Sequence, residues 1–101
     1  MHPRDLRVVC NQASTLMTYP EIRARLVDQL EPQYVELALK MCVNLVAPRI
    51  CELTSVDERR AAIMTWPKDD GGLRGELQMM VSRLWRRNKK KPPGGGLVSK
   101  V

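Results

Sequence analysis

The sequence predicts an all-α protein, a compact bundle of four to five short helices followed by a disordered basic tail. Apolar residues recur at spacings of three and four along most of the chain, as they do on one face of a helix. No stretch alternates apolar and polar residues over the length of a strand. A chain of 101 residues has room for one domain. We assign that domain to residues 1–88 and the flexible Lys/Pro/Gly tail to residues 89–101.

Prolines mark the boundaries of the first two predicted helices. The first helix is expected at roughly residues 4–17, and its apolar face consists of Leu6, Val9, Cys10, Ala13, Leu16 and Met17. Pro20 then stands where the first residue of a second helix is favoured, because its fixed φ suits that position. Glu21 follows, where a negative charge complements the positive end of the helix dipole. We expect this second helix to end near Leu30.

The third predicted helix, residues 32–47, is apolar over most of its circumference. It follows the Glu31-Pro32 pair, and we expect Pro48 to end it because proline cannot donate a helical hydrogen bond. Its narrow polar stripe consists of Gln33, Glu36, Lys40 and Asn44. A helix with so little polar surface needs cover on several sides, which predicts the central helix of the bundle. The alternative is a homodimer interface that uses one of its faces.

Two further helices complete the predicted bundle. Ser55 and Glu58 have the spacing of a capping box, which predicts a helix from there to about Thr65. Residues 68–72 contain Asp-Gly-Gly and are expected to form a loop. The last helix is predicted at 73–88. Its apolar side consists of Leu73, Leu77, Met80, Val81 and Leu84, with Trp85 at the edge.

Positive charge is concentrated at the C-terminal end. Residues 83–101 contain seven Lys or Arg and no acidic residue, whereas residues 1–82 contain ten basic and eleven acidic residues. The formal net charge of +6 therefore comes from this end alone. Such an asymmetric charge distribution indicates an anionic partner at the C-terminal end, such as nucleic acid or an acidic protein surface.

The candidate anion-binding residues form one dense basic cluster: Arg83, Arg86, Arg87, Lys89, Lys90 and Lys91. Within this cluster Arg83, Arg86, Arg87 and Lys90 share one helical face. Several long cations within a Debye length of each other are suited to displacing the counterions condensed on phosphates. The alternative is a solvated helix end, whose cations favour the helix dipole, followed by a solubilising tail. In a eukaryotic host the same residues would suit nuclear import.

The sequence gives little basis for catalysis or for a metal site, so we expect neither an enzyme nor a cofactor. His2 is the single histidine and lies at the chain terminus. Cys10, Cys42 and Cys51 are widely separated and include no close pair of the kind that binds zinc. The glycines around Gly71 fit neither phosphate-loop pattern. Neither a signal peptide nor a membrane span is predicted, so we expect a cytoplasmic location and no membrane partner.

Two short patterns suggest other partners. Residues 18–40 loosely resemble a helix-turn-helix, although the usual glycine turn is missing and the second helix is too apolar to read a groove. Ser99-Lys100-Val101 resembles a carboxylate ligand of PDZ-type domains, a match of only three residues.

The stretch from Ser55 to Arg86 carries a family resemblance. Arg59-Arg60 follow a helix start, Gly71-Gly72 lie in a loop, and a terminal helix with Leu77 and Val81 leads to Leu84-Trp85 and basic residues. This pattern resembles small uncharacterised proteins of bacteriophages and prophages. The resemblance implies a compact accessory protein: a regulator, a DNA-associated factor or an inhibitor of a host system.

The leading hypothesis is therefore a small non-enzymatic protein that is nucleic-acid-associated or regulatory. It would contact phosphate through the basic C-terminal helix and tail. The alternative is a phage-type accessory protein, inhibitor or adaptor that binds a host protein through an apolar helical face.

Overall fold

A computed structural model describes residues 3–69 and 71–90, and this part of the chain folds into five helices without a strand. The helices are α1 (Pro3–Ala13), α2 (Tyr19–Gln29), α3 (Pro32–Cys51), α4 (Val56–Met64) and α5 (Leu73–Lys90). The prediction of an all-α helical bundle is confirmed. The predicted tail from residue 91 onward lies outside the described residues, whereas Lys89 and Lys90 belong to α5 rather than to the tail.

Helix α3 is the central element, because it packs against each of the other four helices. Helices α1 and α2 contact each other as well as α3, and α4 and α5 form a second contacting pair. The buried residues of α3 are Val35, Ala38, Leu39, Cys42, Val43, Val46, Ala47, Ile50 and Cys51. The predicted polar stripe from Gln33 to Asn44 is exposed, together with Leu37, which is 52 % exposed.

The prediction that Pro48 ends this helix is wrong, because α3 continues to Cys51. Pro48 cannot donate to the carbonyl of Asn44 four residues earlier. Both residues are exposed, so water can hydrate the released carbonyl. Ile50 and Cys51 are buried in the core, and this packing holds the last turn in place.

Helix α1 ends at Ala13, four residues before the predicted end at Met17. The buried Ser14 hydroxyl donates to the carbonyl of Cys10 at 2.6 Å, a bond typical of residues that bend or end a helix. Thr18 N–H then donates to the carbonyl of Leu16 at 2.9 Å, around Met17 with φ of 72°. This tight turn reverses the chain toward α2, so Leu16 and Met17 pack beside the core from a turn rather than from a helix.

Trp66 joins the two halves of the bundle and is fully buried. Its ring packs edge-on against that of Tyr19, with 5.5 Å between the ring centres. Its indole N–H donates to the carbonyl of Met17 at 3.4 Å. Beside this contact, the backbone N–H of Tyr19 donates to the hydroxyl of Thr65 at 3.1 Å. The α1–α2 turn is thereby fixed to the end of α4.

The starts of α4 and α5 follow local sequence rules. The Ser55 hydroxyl accepts from the backbone N–H of Glu58 at 3.3 Å, as the capping-box spacing predicts. Val56, the first residue of α4, is 57 % exposed. Before α5, Gly71 and Gly72 have φ of 67° and 71°, a left-handed conformation that glycine adopts without a steric penalty.

Candidate nucleic-acid interface

The second half of α5 extends past the end of α3. Leu73 lies in the same groove as Leu39, near the middle of α3. Eight residues later along α5, the carbonyl of Val81 accepts from the thiol of Cys51, the last residue of α3, at 3.5 Å. The two helices therefore run in the same direction, and the nine residues from 82 to 90 continue for about 13 Å beyond this contact.

The side chains of this extension divide into an apolar side and a basic side. Leu84 and Trp85 are half-buried and pack against the hydrophobic core. Arg83, Arg86 and Arg87 are exposed, and their spacing of three and four places them on one face. The apolar side holds the helix on the bundle while the guanidinium groups extend from the other face into solvent.

Arg59 of α4 supports the same extension, a contact that the sequence did not indicate. Its guanidinium carbon lies 3.9 Å from the centre of the Trp85 ring. Its Nη1 also donates to the carbonyl of Leu53 at 2.5 Å. Arg59 thus joins the start of α4 to the end of α5 through a cation–π contact and a charge-assisted hydrogen bond. Arginine is common after a helix start, so only the tertiary structure reveals this role.

The positive excess of the surface comes from α5 and not from α4. The first turns of α4 contain Asp57 and Glu58 as well as Arg59 and Arg60, so their formal charges cancel. From Arg83 to Lys90 the sequence contains no acid. The formal charge therefore favours the α5 face over α4 as a candidate anion-binding surface.

The predicted lysines follow the arginines in the sequence, but whether they lie on the same face is not described. Lys89 and Lys90 lie within α5, but their side chains are outside the described part of the chain, and so is the whole of Lys91. The described part of the candidate interface consists of the three arginines. The PDZ-type pattern at residues 99–101 is likewise outside the described residues.

The helix-turn-helix pattern does not give an exposed recognition helix. Its first helix corresponds to α2, and its second helix is the start of α3. Val35, Ala38 and Leu39 of that second helix are buried. A helix that the rest of the bundle buries to this extent cannot enter a DNA groove. The exposed basic surface of α5 is therefore the better candidate for nucleic-acid binding.

The cysteines are buried and not arranged for metal binding. Within residues 3–69 and 71–90, no three His, Cys, Asp or Glu side chains lie close enough together to hold a metal ion. A hydrogen bond with Cys42 and burial raise the pKa of the Cys10 thiol. Burial also raises the pKa of the Cys51 thiol, although the nearby Arg59 charge opposes the shift. The same hydrogen bond with Cys10 lowers the pKa of the Cys42 thiol. Burial keeps the Cys51 thiol protonated at neutral pH, so it is a weak nucleophile.

Comparison of the chain with protein-family models, with curated proteins and with solved structures gave no match. The resemblance to bacteriophage proteins remains a prediction. Among the described helices, none is both long enough and apolar enough to cross a bilayer.

Proposed function

We propose that the protein is a small non-enzymatic binding protein that contacts nucleic-acid phosphates through Arg83, Arg86 and Arg87. The observation that carries this proposal is the arginine face itself. Three exposed guanidinium groups lie on one side of a helix that extends past its neighbour. The opposite side of the helix is anchored by Leu84, Trp85 and the stacked Arg59. The proposal includes a cytoplasmic location and a regulatory or DNA-associated role.

A rigid helix is better suited to this task than a flexible basic tail. Binding through a flexible segment requires that segment to be ordered, which lowers the affinity. The arginines of α5 are already placed by the packing of Leu84 and Trp85. Arginine also donates two parallel hydrogen bonds to a phosphate, which a lysine cannot do. We therefore assign the main contact to the arginines and only additional attraction to Lys89, Lys90 and Lys91.

The test is binding of labelled duplex and single-stranded oligonucleotides, measured by fluorescence anisotropy at low salt. We expect the intact chain to bind, and the variant with Arg83, Arg86 and Arg87 changed to Ala to lose at least about tenfold in affinity. A control variant removes the same charge elsewhere, by changing the exposed residues Arg7, Lys40 and Lys68 to Ala. This control should retain most of the binding.

A chain that ends at Lys90 separates the tail from the helix. We expect this truncated chain to keep most of the affinity, because it retains the arginine face. If the truncation abolishes binding while the arginine variant binds normally, the assignment to α5 is wrong. If the intact chain does not bind either nucleic acid at low salt, the proposed function is wrong.

The alternative function is an adaptor or inhibitor that binds an acidic surface of a host protein. One observation favours it: Met79 is 59 % exposed and lies on the same side of α5 as Arg83, four residues earlier. Methionine and arginine are both enriched in protein–protein interfaces. A thioether, in contrast, offers a phosphate neither a positive charge nor a hydrogen-bond donor. Under the leading proposal, Met79→Ser leaves nucleic-acid affinity unchanged. Absence of nucleic-acid binding together with binding of a defined host protein that Met79→Ser weakens would favour the alternative.

A further inference from the structure

Helix α2 presents an apolar stripe to solvent. Ile22 and Leu26 are fully buried against the bundle. On the opposite side Pro20, Ala24 and Val27 are exposed at spacings of four and three, and Val27 is 54 % exposed. This spacing is that of the core positions in a two-helix coiled coil. The stripe can therefore accept a second helix along its length.

The stripe forms a ridge between two shallow grooves. One groove is lined by Tyr19, Pro20, Arg23, Ala24, Val27 and Asp28. The other is lined by Leu16, Glu21, Ala24, Arg25 and Asp28. Half-buried Leu16 and Tyr19 widen the apolar surface beyond the helix itself. Side chains of a facing helix can pack into both grooves.

The charges at the two edges of the stripe favour a second copy of the same helix. Exposed Arg23 lies at one edge, and exposed Asp28 lies at the other edge, five residues later. In a parallel pair of helices, the residue at one edge meets the residue five positions later on the partner helix. Two copies of α2 would therefore form the pair Arg23–Asp28 twice, once on each side of the stripe.

The antiparallel arrangement is disfavoured by the same charges. When two identical helices pack antiparallel, like edges meet, so Arg23 would approach Arg23 of the partner subunit. The other edge holds Glu21 and Asp28, and it would meet its own acidic copy. Like charges placed across an interface are destabilising, so only the parallel arrangement is electrostatically complementary.

We propose that the exposed stripe of α2 is a homodimer interface, in which two copies pack in parallel around a two-fold axis that runs along the helices. The sequence suggested a dimer through residues 32–47, but the other helices cover most of that helix. Helix α2 has only 11 residues, so the interface is small and the dimer is weak. It is independent of the arginine face of α5.

The first test is sedimentation velocity over a concentration range that reaches about 500 μM, because small interfaces associate weakly. We expect a monomer–dimer equilibrium. Val27→Asp should shift it at least about tenfold toward monomer, because it buries a charge in the apolar stripe. Leu37→Asp is the matched control, since it places the same charge on α3 at a residue that is 52 % exposed. A monomer at all concentrations, or an effect of Leu37→Asp alone, would overturn the proposal.

Exchange of the two edge charges tests the direction of packing. Arg23→Asp and Asp28→Arg should each weaken association about tenfold, since each places two like charges across both edges. The double variant should regain the affinity of the unchanged protein. Failure of the double variant to recover would contradict the parallel pairing.

Disulfide trapping gives a second measure of direction. Cysteine introduced separately at Pro20, Ala24 or Val27 should crosslink to the same position of the partner under a mild oxidant. In an antiparallel pair, at most one of these three positions lies opposite its own copy. The unchanged protein should not crosslink, because Cys10, Cys42 and Cys51 are buried. Crosslinking at only one of the three positions would overturn the parallel arrangement.

Discussion

At the start of α5 the arginine side chain turns inward, whereas near its end three arginines extend into solvent. The Arg74 guanidinium donates from Nε to the carbonyl of Trp66 at 2.6 Å and from Nη2 to that of Met64 at 3.1 Å. It thereby satisfies carbonyls at the end of α4 that have no helical partner. Arg83 and Arg86 are exposed roughly two and a half and three turns later along the helix. Residues of one type therefore stabilise the fold at one end of the helix and are available to a ligand at the other.

This difference shows that the number of positive charges in a sequence overestimates the number that can contact a ligand. Arg59 and Arg74 belong to the basic total, yet both donate to backbone carbonyls within the protein. Removal of either should lower stability, whereas removal of an arginine on the α5 face should lower binding alone.

Loss of the Trp66 side chain should lower the stability of the fold more than any other change considered below. The side chain is fully buried and joins the α1–α2 turn to the end of α4. We expect Trp66→Ala to lower the free energy of unfolding by about 3–5 kcal/mol, because it leaves a large cavity. Urea denaturation followed by circular dichroism measures this. Met79→Ala, at an exposed site of α5, should stay within about 0.5 kcal/mol. Similar losses for both variants would contradict the assigned core.

Arg74→Ala tests the inward arginine directly. Two charge-assisted hydrogen bonds would be lost and carbonyls at the end of α4 would lose their donors, so we expect a loss of about 1.5–3 kcal/mol. The matched variant is Arg86→Ala, which should change stability by no more than about 0.5 kcal/mol. The same denaturation experiment compares the two. Equal effects would show that the inward and outward arginines do not differ.

Arg59→Ala should loosen the extension without unfolding the bundle. The cation–π contact with Trp85 contributes about 0.5–1 kcal/mol and the hydrogen bond to Leu53 about 1 kcal/mol. We expect faster hydrogen exchange of the amides from residue 82 to residue 88, while the amides of α3 are little affected. Arg60→Ala, at the exposed neighbouring position, is the control. Unchanged exchange in the Arg59 variant would mean that α5 is held by Leu84 and Trp85 alone.

The buried Cys51 thiol predicts a smaller effect at alkaline pH. Burial raises the pKa of this thiol above its ordinary value of 9.0. The folded state therefore keeps this proton after the unfolded chain has released it, so the thiol lowers stability as the pH rises above about 9. Cys51→Ala should reduce this decline when urea denaturation is repeated from pH 8 to pH 10. An unchanged pH dependence would show that the Cys51 thiol contributes nothing to it.

The sequence analysis identified the features that depend on residues close together in the sequence. The cap at Ser55, the glycine turn before α5 and the arginine face all follow from local spacing. The continuation of α3 past Pro48 was missed because the buried Ile50 holds the last turn by tertiary packing. The contacts of Arg59 and Arg74 were missed for a related reason, since their partners are set by how α4 and α5 pack together.

The salt dependence of nucleic-acid affinity tests the central claim most directly. The slope of log affinity against log salt reports how many phosphates the protein neutralises. If the α5 face makes the contact, the variant with Arg83, Arg86 and Arg87 changed to Ala should have a slope smaller in magnitude by about two to three. The Arg7, Lys40 and Lys68 control should keep the slope of the unchanged protein. Equal slopes for the two variants would contradict the account.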